Sequence, residues 1–172
     1  MSKRGLILLI LLFFLGITAY LTSKIWNINK QNSKARIERQ SLANFSFYTL
    51  DSTLKNKQII ERGIPVCVIH FNTECEHCQE EAKLIHMHIK QFKNAGIIMV
   101  SPNPPIEIRV FSQQYGLDQY PQIILLWDKE KKFQQWFGNA PFPSTYIYNK
   151  AHQLVKEYRG EVKIEAISKY LD

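Results

Sequence analysis

The chain has 172 residues, 45% of them hydrophobic, which allows one folded domain of ordinary size plus a short extension and excludes a disordered chain. The formal charge of +7 would suit a polyanionic partner, but it is unevenly placed: residues 1–40 carry seven basic side chains against the single acid Glu38, and residues 41–172 carry 15 basic against 14 acidic. A nearly neutral globular part gives nucleic acid no strong attraction, whereas a basic excess flanking an apolar segment suits anionic lipid headgroups.

That apolar segment comes first. Residues 1–4 (MSKR) precede residues 5–22, GLILLILLFFLGITAYLT, which hold no charge over 18 positions. This is the short end of what spans a bilayer as a helix, about 17–25 residues. A secretory signal peptide is the rival, but its apolar core is usually about 7–15 residues and ends in a small-x-small site. Ile17-Thr18-Ala19 matches that site poorly. An uncleaved transmembrane anchor is therefore expected, with residues 1–4 cytoplasmic and residues 23–40 a polar, basic tether. An interfacial amphipathic helix carrying Trp26 is the other reading of the tether. Charge count alone would hold the following domain in the cytoplasm. Export is favoured here because the first residues of a signal-like segment often set orientation, and because the cysteine chemistry below suits an oxidising compartment.

Residues 41–172 carry the fold. Phe45–Leu50 alternates and is aromatic-rich, as in a lead-in strand. Pro65–Asn72 (PVCVIHFN) is the β-branched and aromatic run of a strand buried on both faces. Residues 75–94 place Ala82, Leu84, Ile85, Ile89 and Phe92 at helical spacing before Gly96. Then follow a strand over Ile97–Ser101, a helix over 106–115, a strand over Gln122–Asp128, a short helix over Lys129–Phe137, strands over Ser144–Asn149 and Gln153–Tyr158, and a final helix over Val162–Leu171. Alternating strands and helices predict a layered α/β domain with a partly parallel sheet, closed by an antiparallel hairpin.

Cys75 and Cys78 form a C-x-x-C pair where the main buried strand gives way to its helix. Two cysteines three apart at a helix start can close a disulfide within one turn. The first lies beside unpaired backbone N–H groups and the positive end of the helix dipole, which favour thiolate, the attacking species in disulfide exchange. Cys75 is thus the expected nucleophile and Cys78 the resolving thiol. His77 would favour the thiolate, whereas Glu74 and Glu76 would oppose it. With Glu80 and Glu81 the local carboxylates outnumber the histidine, which leans toward a reductant. Half of a zinc site is the competing reading of C-x-x-C, but zinc wants four ligands. Cys67 sits mid-strand, and His86 and His88 point to different helix faces, so no metal site is expected. Cys67 and His70 read as core residues, His86 and His88 as helix-surface residues, and Trp136 and Phe137 as core or groove lining.

Four stretches together resemble the thioredoxin superfamily, and within it the membrane-anchored TlpA/ResA-type thiol–disulfide oxidoreductases. They are VCVIHFNTECEHC followed by Gln79-Glu80-Glu81, IIMVSPNPPIEIRVFSQQYGL, Pro141-Phe142-Pro143-Ser144-Thr145-Tyr146-Ile147-Tyr148, and the hairpin ending in Tyr158-Arg159-Gly160. The resemblance implies a thioredoxin-like fold, a central mixed sheet flanked by helices behind the membrane helix. It matches Cys75 and Cys78 to the redox pair and Pro143 to the cis-proline beside which substrate lies, with Pro141 the less suited candidate. Phe142 would then contact substrate backbone. Glu81 matches a glutamate able to take the proton of Cys78; a solvated side chain paired with His77 is its plainer reading. The chain departs from the family at Glu74 (often Trp), His77 (often Pro) and Ile69 (Asp in thioredoxin itself), and Asn72 holds the Thr place of peroxiredoxins, against a peroxidase. The implied function is disulfide exchange with exported proteins, apocytochrome c among the conceivable clients, using the Cys75–Cys78 disulfide and no other cofactor. An unidentified membrane or periplasmic electron donor would recharge it, and the domain would face the periplasm from the inner membrane. A metal-binding or copper chaperone module and a non-catalytic interaction domain are the rival functions.

Overall fold

The computed structural model describes the backbone of residues 3–171 and their side chains except those of residues 3, 4, 6–10 and 31. The remainder of the predicted cytoplasmic end, and most side chains of the first half of the predicted anchor, lie outside the described residues. The chain divides into two units, Met1–Lys34 and Ala35–Asp172. The first belongs to helix α1 (Lys3–Glu38), whose described stretch Leu11–Glu38 is long and apolar enough to cross a membrane. No break marks the predicted tether, because residues 23–38 contain neither Gly nor Pro and continue the helix.

The second unit is built on a seven-stranded sheet: β1 (Ser46–Tyr48), β2 (Leu54–Asn56), β3 (Val66–His70), β4 (Gly96–Ser101), β5 (Ile123–Trp127), β6 (Ser144–Tyr148) and β7 (Leu154–Arg159), in spatial order β2-β1-β5-β4-β3-β6-β7. β3, β4 and β5 run parallel, and the outer strands pair antiparallel, so the sheet is mixed. β3 and β6 are buried along their whole length, as expected for strands covered on both faces. Period-two alternation divides the core. Cys67 and Ile69 join Phe71, Met99 and Ile147 under α2 (Glu76–Met87), α3 (Pro105–Gln114) and α5 (Ile164–Ser168). Val66 and Val68 face the other way, onto Phe45, Phe47, Val100 and α4 (Phe133–Phe137).

Several elements differ from the sequence expectation; β1, α4 and α5 are each shorter than expected. β2 was not expected: all three of its residues are exposed, so an edge strand of this kind carries no hydrophobic alternation to betray it. The helix expected over 75–94 stops at Met87 and tightens into a 3-10 turn, Ile89–Phe92, which keeps Phe92 fully buried. The compact unit also begins before residue 41. Ala35 is buried, and Arg39 Nη1 donates to the Phe137 carbonyl (2.8 Å) while Nη2 meets Glu157 at 2.9 Å. Gly138, at φ +79, admits that guanidinium; a Cβ there would stand 2.6 Å from Arg39 Nη1.

Candidate active site

Cys75 is the N-cap residue of α2, with extended backbone and no side-chain capping bond. The preceding loop is pinned from within. Asn72 accepts the Cys75 N–H on its carbonyl (3.2 Å) and the Glu74 N–H on Oδ1 (2.8 Å), and Gln79 Nε2 donates to Thr73 O (3.0 Å). Cys75 is half-buried and its Sγ faces the Phe142 carbonyl at 3.9 Å. The Phe142–Pro143 peptide is cis, and Pro143 leads directly into β6. The two stretches named from sequence, residues 75–78 and 142–143, therefore meet across 67 residues of chain.

Cys78 lies one turn into α2 and is buried. Burial pushes its thiol well above the usual range; Cys75 and Glu81 add to the effect, and a backbone hydrogen bond at Asn72 opposes it. Cys67, fully buried, is raised by desolvation first and then by the charge of Glu81. Both cysteines thus sense the same carboxylate.

Glu81 is neither solvated nor paired with His77. It is 1% exposed; Oε1 accepts from the Thr145 hydroxyl at 3.0 Å, and Oε2 is buried with no hydrogen-bond partner. Burial lifts its pKa to about 7, the Thr145 bond opposes this, and Glu161 adds to it. An acid balanced near neutrality, with one open oxygen, beside a buried thiol is suited to proton exchange. His77 is exposed and turns to Glu161, with Nδ1 2.9 Å from Oε2; Glu76 is exposed at the start of the same turn. Sequence reasoning did not single out Thr145 or Glu161. Thr145 lay within a recognised strand and Glu161 follows Gly160 with no local pattern to mark it.

His70 also supports the site. Its ring stacks on Phe133 (centroids 4.0 Å apart, 3° between planes) and packs at 4.4 Å against Phe142, while Nδ1 donates to the Ala140 carbonyl at 3.1 Å. Burial lowers its pKa to about 4, against the Ala140 bond, so the ring is neutral with the proton on Nδ1. It holds both ends of residues 140–142, the segment whose last carbonyl faces Cys75. His70→Ala is expected to lower unfolding free energy by about 3 kcal/mol, from a cavity plus a lost buried hydrogen bond, measurable by denaturant titration. His86, expected on the surface, is half-buried, with Nδ1 3.1 Å from the Tyr120 hydroxyl and 3.3 Å from Gly116 O. Among the described residues, no three His, Cys, Asp or Glu side chains stand close enough to hold a metal ion together.

A mixed sheet flanked by helices, with a cysteine pair at a helix N-terminus, defines a thioredoxin-like α/β domain. The domain superimposes on a secreted Mycobacterium tuberculosis disulfide oxidoreductase homologous to E. coli DsbE with TM-score 0.63, 13% identity, and coverage of 74% of this chain and 94% of that one. StoA from Bacillus subtilis gives TM-score 0.58 and 12% identity, covering 74% and 96%. More particularly, residues 39–157 match the AhpC/TSA family, and the chain belongs to it. Among curated proteins it is similar to the thiol–disulfide oxidoreductase ResA of Bacillus thuringiensis (strain Al Hakam), 26% identical over 113 residues, 64% of this chain and 63% of that protein. It is also similar to ResA of Geobacillus thermodenitrificans, 24% identical over 173 residues, 98% and 92% of the two chains. The Bacillus match therefore spans somewhat less than two thirds of its relative's length.

Proposed function

We propose that this chain is a membrane-tethered thiol–disulfide oxidoreductase whose redox couple is Cys75–Cys78. The observation that carries it is Cys75 Sγ at the mouth of α2, against the Phe142 carbonyl, with Cys78 buried one turn behind it. In the reducing direction, the Cys75 thiolate attacks a client disulfide, forming a mixed disulfide and releasing one client thiol. Glu81, ionised, takes the proton of Cys78. The Cys78 thiolate attacks Cys75 Sγ, closes the Cys75–Cys78 disulfide and frees the second client thiol. The client gains two electrons and two protons, and a dithiol electron donor restores the pair.

Phe142 and Pro143 border the place a client strand would occupy. Glu76 and His77 flank the couple, and the acidic surroundings favour the reducing direction. The names of the ResA relatives support the same chemistry. With α1 as anchor, the domain works outside the cytoplasm on exported proteins, and the TlpA/ResA resemblance suggests apocytochrome c among them. Equilibration of the full chain in detergent with dithiol buffers tests this. A couple near about −270 mV is expected, whereas one near about −120 mV would reverse the direction. A pair that never equilibrates would overturn the function.

A further inference from the structure

A groove of about 260 Å³ that includes the two residues before Cys75 is lined by Thr73, Glu74, Ile106, Glu107, Val110 and Gln114. Ile106 and Val110, one turn apart on α3, are 66% and 54% exposed, so two aliphatic side chains stand in water next to the reactive turn. Glu107 is fixed there: Oε2 accepts from Asn103 Nδ2 at 2.8 Å and from the Thr73 hydroxyl at 3.5 Å, and Asn103 is held by Ser101 Oγ at 2.9 Å. Glu74 is exposed immediately before Cys75. No basic side chain lines the groove; Arg109, on the same helix, is turned to Asp51 at 3.2 Å. Exposed aliphatic side chains and a carboxylate rim thus share one groove with Glu74, the residue directly before Cys75.

Resting on the oxidoreductase reading above, we infer that this groove selects the client: an extended protein segment carrying an aliphatic side chain and a lysine or arginine within a few residues of its cysteine. The aliphatic group covers Ile106 and Val110, and the cation meets Glu107 and Glu74. Rim carboxylates of this kind act mainly on encounter and on the choice between partners, and their effect declines with salt. The acidic excess around C-x-x-C then has a second use beside setting potential.

Two disulfide-bearing peptides, identical except for a Leu-Lys or a Ser-Glu flank, provide the test, with the full chain in detergent and a small aromatic disulfide as reference. At low salt kcat/KM is expected to be about fivefold higher for the Leu-Lys peptide, with the preference shrinking as salt rises. Val110→Ser and Glu107→Gln should each reduce that preference while leaving the rate on the small disulfide unchanged. Equal kcat/KM for the two peptides, or a preference that both variants retain, would overturn the groove while leaving the enzyme standing. A chain inert toward the small disulfide as well would overturn the oxidoreductase reading and the groove with it.

Discussion

Cys75→Ser is expected to reduce disulfide exchange to background, a loss of at least about 1,000-fold, whereas Cys78→Ser is expected to stop after one half-reaction with the client covalently attached. The asymmetry follows from where the sulfurs lie. Cys75 is half-buried at the helix N-cap, facing Phe142 O, where a client disulfide can reach it. Cys78 is buried and its thiol is held well above the usual range, so it offers almost no thiolate to a client and cannot replace the first nucleophile. Its attack becomes favourable only inside the mixed disulfide, where it acts intramolecularly on a neighbouring sulfur. Intact-mass measurement under non-reducing conditions separates the two variants: a stable adduct with Cys78→Ser and none with Cys75→Ser. Neither Ser substitution enlarges a side chain, so circular dichroism should match the parent. An adduct on Cys78 in the Cys75→Ser chain would reverse the assignment.

Glu81→Gln carries the second large effect. The resolving step needs a base for the Cys78 proton, and a carboxylate titrating at about 7 is half available at neutral pH. The rate of closing the Cys75–Cys78 disulfide should rise through about pH 7 in the parent and fall about 100-fold in Glu81→Gln, with that rise lost. Gln keeps an oxygen for Thr145, so the change tests proton transfer more than packing.

The same residue sets a dependence of stability on pH. The folded pKa is raised from 4.5 to about 7, so the folded state holds the proton more tightly than the unfolded one. The stability this contributes is fully present below 4.5 and is lost as pH rises through about 7, at most about 3 kcal/mol. His70 acts in the opposite sense. Its pKa falls from 6.5 to about 4 on folding, so its contribution is present above 6.5 and is lost as pH falls toward about 4. Between 4.5 and 6.5 the two slopes oppose each other, and the parent should show a nearly flat unfolding free energy there. Glu81→Gln removes one slope and exposes the other: its stability should fall steadily on acidification below 6.5 in denaturant titrations. A variant as flat as the parent would show that Glu81 is not the buried acid.

Much of this architecture was written in local pattern. The β-branched run 65–72, the helical spacing of Ala82 and Ile85, and the Cys75–Cys78 step each describe a stretch of chain against its own neighbours, which periodicity can encode. So the main strands, the main helices, their alternating α/β order and the position of the cysteine pair at a helix start could be read from residues alone, and the thioredoxin-like fold through family resemblance. The approach of Phe142 and Pro143 to Cys75 was legible through family resemblance, not through spacing.

What surrounds the sulfurs was decided by the tertiary structure. Glu81 at i+3 from Cys78 was marked by family resemblance, but its own helical position does not distinguish it from a solvated glutamate. Its burial arises because β6, through Thr145, packs over it from 64 residues away. His77 meets Glu161 across 84 residues, and His70 finds Ala140 and Phe142 across 70 and more. The exposed edge strand β2 and the inclusion of Ala35 and Arg39 in the compact unit belong to the same class. Periodicity reports which face of an element is apolar. A buried polar group takes its charge state from its partners and its access to water, and those exist only once distant strands and helices have packed together.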